Sequence, residues 1–152
     1  MAIPLFAAII AGAGGGGPRK ETITVTVGQL LSGKVVEGYG YSDGTDIPSG
    51  GSRSPTTVDG KTVKGIYHDT LPAPDLFEIS VNGTGGAKGD IIFVDVETDS
   101  GTVRLTPDSN TTFNDSGSRM LWTWNATNHT IPDWVSDLSN SVDVDIYHTG
   151  IG

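Results

Sequence analysis

The feature that most constrains this chain of 152 residues is a two-residue alternation of apolar and polar side chains that begins at Glu21. Across residues 21–27, Ile23, Val25 and Val27 lie on one side of an extended backbone and Thr22, Thr24 and Thr26 on the other, the pattern of a half-buried strand. Further strands are expected over residues 34–41, 61–67, 76–81, 90–98, 102–106, 119–125 and 141–147, separated by clusters of Gly, Pro, Asp and Ser. Asp59-Gly60 marks a tight hairpin, because a two-residue turn with two positive φ angles selects Asn or Asp followed by Gly, and residues 99–101 mark a second. Helical spacing with caps is missing from every window of ten or more residues, a single turn at 132–138 aside. Eight short strands predict an all-β sandwich or barrel built from residues 21–152. Residues 42–55 contain almost nothing apolar and read as an exposed loop.

Composition narrows the roles open to such a body. One core suits this length. With no Cys there are no disulfides, thiolate nucleophiles or Cys-ligated metals, so packing alone must hold the fold. Eighteen acidic against nine basic side chains give a formal charge of -9. That field repels phosphate backbones and anionic headgroups, which argues against nucleic-acid and membrane partners.

Residues 1–20 differ in kind. Met1 to Ala13 carries no charge, residues 14–17 are four consecutive glycines, and Pro18-Arg19-Lys20 closes the segment. The apolar run is about half of the ~20 residues that cross a bilayer. A secretory signal is the rival reading, since Ala11-Gly12-Ala13 resembles a cleavage site, although no Lys or Arg precedes the run. The preferred reading is an arm and hinge whose Ile3, Leu5, Phe6, Ile9 and Ile10 bury on a neighbouring subunit, in a homo-oligomeric or mixed assembly.

Other residues offer alternatives. Met120, Trp122 and Trp124 share one strand face and are expected in the core, with a sugar-stacking platform as the sharper alternative. Trp134 and the 42–55 loop are the ligand-contact candidates under that alternative. Asp95, Glu97 and Asp99 alternate with Val94 and Val96, and Asp143 and Asp145 with Val142, Val144 and Ile146. These rows are expected to be solvated outer faces. Brought together, with Asp43, Asp46 or Asp59 added from loops, they would offer oxygen ligands to calcium, but no closed calcium loop is encoded, and no metal or cofactor is expected. His68, His129 and His148 lie far apart in the chain, and neither a nucleophile elbow, a phosphate loop nor a two-His motif is present, so a non-enzymatic protein is expected. Asn82, Asn110, Asn114, Asn125 and Asn128 each begin an Asn-x-Ser/Thr triplet, which a Thr- and Ser-rich β protein produces by composition.

Taken in order, Val58-Asp59-Gly60-Lys61-Thr62-Val63, Leu76-Phe77-Glu78-Ile79-Ser80-Val81, Leu121-Trp122-Thr123-Trp124-Asn125, Pro132-Asp133-Trp134 and Val142-Asp143-Val144-Asp145-Ile146 resemble the β-sandwich modules of tailed-bacteriophage virion proteins. Similar modules recur in bacterial surface proteins. The resemblance covers about residues 21–147. It implies an immunoglobulin-like accessory protein located in the virion, a head decoration or cement protein or a tail component, whose partners are capsid or tail subunits. It carries no catalytic residues. A host-recognition or carbohydrate-binding module is the alternative, and the apolar, glycine-hinged arm is what a free-standing adhesive module would not need.

Overall fold

A computed structural model of the chain describes residues 17–26, 36–39, 52–54, 57–69, 76–98, 101–132 and 141–152. The described strands are β1 (Arg19–Thr26), β2 (Val36–Tyr39), β3 (Ser52–Ser54), β4 (Thr57–Val58), β5 (Lys61–Asp69), β6 (Leu76–Asn82), β7 (Ile91–Thr98), β8 (Gly101–Leu105), β9 (Thr112–Asp115), β10 (Arg119–Asn125) and β11 (Ser141–His148). One 3-10 turn, Lys88–Asp90, precedes β7. All pairings are antiparallel and fall into two sheets. The first sheet runs β3-β1-β11-β7-β8; the second runs β2-β5-β6-β10-β9, with β4 also on β5. The chain is therefore a β-sandwich.

Alternation decides what enters the space between the sheets. From the first sheet come Ile23 and Val25 of β1, Val94 and Val96 of β7, Leu105 of β8, and Val142, Val144 and Ile146 of β11. The second contributes Phe77, Ile79 and Val81 of β6 and Met120, Trp122 and Trp124 of β10. Both indoles are fully buried, Trp122 against Phe113 and Trp124 against Phe77. Their N–H groups donate to the carbonyls of Lys88 (2.9 Å) and Thr106 (3.2 Å), which meets the polar requirement of a buried Trp. In β5 the register shifts between Val63 and Gly65, and that bulge lets Val63 and Ile66, three residues apart, both face inward.

All eight expected strands are present. Asp59 (φ 50°) and Gly60 (φ 71°) turn β4 into β5 with the positive angles that the dipeptide implied. Pairing of Thr98 with Gly101 closes the second expected hairpin. Two corrections follow. Residues 42–55 are not wholly a loop, because Ser52–Ser54 forms β3 against Thr24–Thr26 of β1. Strand β9 was missed altogether. Both are short edge strands joined by backbone hydrogen bonds, which require no apolar alternation. The turn expected at 132–138 falls almost entirely outside the described residues.

Candidate functional site

Alternation also carries polar groups into the sandwich interior at one pole. On β1 the inward row Ile23 and Val25 extends back to Glu21 and Arg19, and on β11 the row Val142, Val144 and Ile146 extends forward to His148. These ends are neighbours, since Arg19 pairs with His148 and Glu21 with Ile146. His148 is 0% exposed, and its Nε2 lies 2.6 Å from Glu21 Oε2. Its Nδ1 accepts the Gly150 N–H at 3.1 Å. With Nδ1 accepting, Nε2 is the ring nitrogen that faces the Glu21 carboxylate as donor.

A second carboxylate completes the pole. The Asp59 N–H donates to Glu21 Oε2 at 2.7 Å, which ties the β4–β5 turn to β1. Asp59 then accepts from Arg19 Nη1 on Oδ1 and from the Ile151 N–H on Oδ2, both at 2.8 Å. The Ile151 N–H first, and the Arg19 guanidinium after it, hold the Asp59 carboxyl below the usual carboxylate range against the opposing effect of burial. Asp90 fastens the same corner: its carbonyl accepts the Thr149 N–H, and its Oδ2 accepts from Ala87 (2.9 Å) and Gly152 (3.1 Å). Ile151 is buried over this corner. Chemically, this is a hydrogen-bonded clasp. Both ring nitrogens of His148 are already committed, so the ring is not positioned against a nucleophile.

The outer face of the first sheet carries the acidic rows. They do meet, since Asp145 and Asp95 are direct cross-strand partners. Their oxygens are, however, taken up by neighbours. Asp145 accepts from Thr22 (2.5 Å) and pairs with Lys20 (3.3 Å), Asp143 accepts from Thr24 (2.7 Å), and both Asp95 oxygens accept from Arg104 at 2.8 Å. Among the described residues no group of three or more His, Asp or Glu is placed to hold a metal, and Asp43, Asp46 and Asp99 of the calcium alternative lie outside the described residues. Above these pairs runs a stack across four strands: Lys20 over Tyr147 (5.9 Å), Tyr147 against Phe93 (4.2 Å), and Arg104 over Phe93 (3.8 Å). Phe93 meets both Tyr147 and Arg104. Arg104 and Lys20 are held more firmly protonated, each by its hydrogen-bonded aspartate first.

This stack yields a test of what Arg104 contributes. Arg104→Lys should destabilise the protein nearly as much as Arg104→Ala, because an ammonium supplies neither the two parallel hydrogen bonds nor a flat surface for Phe93. Urea unfolding of the two variants beside the parent protein reads this directly; a lysine variant as stable as the parent would show that charge alone matters there.

Elsewhere in the body, the His129 Nε2 lies 3.1 Å from both oxygens of Asp108, and its Nδ1 3.2 Å from the Asn125 carbonyl oxygen. The Asn110 N–H, with His129 and Thr111 adding to it, lowers the Asp108 carboxyl against partial desolvation. This cluster closes the β8–β9 crossing over the sandwich edge.

Of the residues singled out in the sequence, Trp122 and Trp124 are core, which withdraws them from any sugar platform. Ile3, Leu5, Phe6, Ile9, Ile10 and Trp134 lie outside the described residues. The arm joins the body at the pole just described, where Gly17 is buried and Arg19 begins β1. Sequence reasoning missed the Glu21–His148–Asp59 clasp, although a signal existed: both Glu21 and His148 sit in phase with the buried row of their own strand. Compared with protein-family models, with curated proteins and with solved structures, the chain matches none.

Proposed function

We propose that this chain is a non-enzymatic structural protein of a tailed-phage virion, in which residues 1–16 dock onto a capsid or tail lattice and the sandwich remains outside as decoration, cement or accessory body. The observation that carries the reading is where the arm enters the fold. It continues into β1, an interior strand paired with β11 over eight residues and with β3 over three. A tether attached at Arg19 pulls along the eight-residue β1–β11 ladder, with the β3 pairing holding the far end of β1 at Thr24–Thr26. Arg19 and Glu21, at the start of that strand, are bonded to Asp59 and His148, so the attachment point is fixed in the body.

The strand order supports the immunoglobulin-like part of the reading. Paired as β11–β1, β5–β6, β7–β8 and β9–β10, the strands alternate between the sheets in the cyclic order of an immunoglobulin sandwich, entered at a different strand. Five apolar arm residues, each contributing on the order of 1.5–3 kcal/mol when buried, offset the cost of ordering a glycine hinge. The acidic body keeps a crowded particle soluble, and repetition turns weak contacts into avid attachment.

Deletion of residues 1–16 tests the proposal. The truncated protein should keep its β circular dichroism and Tm, yet no longer co-sediment with particles from the native source. Incorporation at the parental level would end this account of docking.

A further inference from the structure

We propose that strand β8, at the edge of the first sheet, is where a second copy of this chain joins the body: two β8 strands pair antiparallel about Val103 and make one continuous sheet of the two first sheets. Among the described residues β8 ends its sheet, and Gly101, Thr102 and Arg104 are exposed there. At five residues it is longer than β3, β2 and β9, the other strands that end a sheet. Open edges are ordinarily guarded by Lys or Pro, by an inward-pointing charge or by a bulge. None of these is built into β8, whose inward side chains are Val103 and Leu105 and whose ladder with β7 runs from Leu105 to Gly101 without a shift.

The β7–β8 turn decides which backbone groups face outwards. Thr98 and Gly101 enclose two residues, and so tight a turn closes on a pair that exchanges both N–H···O bonds. Bonded and non-bonded pairs alternate from there, so Val103 and Leu105 bond to Val96 and Val94, while the N–H and C=O groups of Thr102 and Arg104 point away from β7. An added strand must present the same spacing. β8 does so itself: pairing about Val103 sets Thr102 of each copy against Arg104 of the other, and the outward groups of both residues find partners.

Charge selects the occupant. Across the junction the outer face reads Asp95, Arg104, then Thr102 and Glu97 of the second copy, and the neighbouring row repeats this in reverse. Strands about 4.8 Å apart put that Glu97 about 10 Å from the Arg104 backbone, a gap two long side chains span above the short Thr102. The Arg104 side chain is 57% exposed; its bonds to Asp95 engage Nε and Nη2, and among the described residues Nη1 has no acceptor. A pairing centred on Arg104 would oppose two guanidiniums. The uncharged segment Met1 to Ala13 offers Arg104 no carboxylate. The contact is small and both bodies are acidic, so isolated copies associate weakly, and a surface that holds bodies side by side strengthens the contact. It involves the body alone, so its failure leaves the docking proposal standing, and the reverse holds too.

Sedimentation equilibrium of the full chain from about 10 μM to about 1 mM tests the pairing, a range suited to weak contacts. The parent should approach a dimer at the upper end. Thr102→Glu should tighten association and Thr102→Lys weaken it, each by about threefold or more, because residue 102 lies opposite Arg104 of the second copy. Repulsion between two acidic bodies predicts the reverse order, and association through the arm predicts no dependence on residue 102. Circular dichroism confirms that each variant is folded. A second reading uses the absence of Cys: Val103→Cys, at a non-bonded pair, should form a disulfide dimer in oxidised glutathione faster than Thr102→Cys. A monomeric parent at about 1 mM, the reversed or flat order at residue 102, or faster cross-linking through Thr102→Cys would each overturn the proposal.

Discussion

Trp122→Ala is expected to destabilise the sandwich by about 3–5 kcal/mol, the range for truncating a large buried aromatic, and to lower Tm by roughly 10 °C or more. Trp122 has no exposed surface, packs on Phe113 with ring centroids 4.9 Å apart, and donates its indole N–H to the Lys88 carbonyl. Truncation leaves a cavity between the sheets and strands the carbonyl that fixes the 3-10 turn before β7. Against a total stability of about 5–15 kcal/mol for an ordinary domain, that loss is large. Trp124→Phe should be milder, since a six-membered ring still meets Phe77 and only the bond to Thr106 disappears. Thermal unfolding followed at a β circular dichroism band measures both. An unchanged Tm for Trp122→Ala would mean that this indole does not fill the core and would return it to the surface as a ligand platform.

Asp59→Ala is the second large effect, expected at about 2–3 kcal/mol. It removes the acceptor of a part-buried Ile151 N–H and the partner of Arg19, and it places alanine at φ 50°, where Asp and Asn are better tolerated. Asp59→Asn keeps the turn preference and one acceptor, so it should cost roughly half as much. The two also differ in their acid dependence. The Asp59 carboxyl is lowered in the folded protein, so its stabilisation is fully present above the unfolded carboxylate value of about 4 and is lost as pH falls through the folded value. Urea midpoints between pH 7 and pH 3 should therefore decline less steeply for Asp59→Asn than for the parent chain. Parallel declines would show that this carboxylate contributes nothing to acid sensitivity.

How legible was this molecule? Strands whose side chains alternate cleanly, such as residues 21–27 and 141–147, declared themselves, because the period that identifies a strand also assigns its buried face. Asp59-Gly60 was legible for a local reason, the positive φ angles of a tight turn. Strand β9 was not, as Phe113 is the one apolar side chain in Thr112–Asp115 and the rest is backbone pairing. The acidic rows were legible as rows, but their neutralisation depended on which strands became neighbours. Lys20 meets Asp145 and Arg104 meets Asp95 only through the β1–β11 and β7–β8 pairings, over 125 and nine residues of separation. The pole lay between these cases: parity placed Glu21 and His148 inside, while their meeting required the same long-range pairing. Residues 1–16 and Trp134, on which the docking and sugar readings draw, remain matters for the deletion experiment and for Trp134→Ala.

The partnership of β1 with β11 also sets a timetable. Hairpins β5–β6, β7–β8 and β9–β10 join segments near in sequence and close quickly, whereas the Thr22–Asp145 contact spans 123 residues. During synthesis β1 must wait for its long partner until Ser141–His148 has emerged, with only its three-residue pairing to β3 open to it sooner. Maturation of the first sheet is thus the slow step, and the corner where His148 meets Glu21 is among the last places to become native.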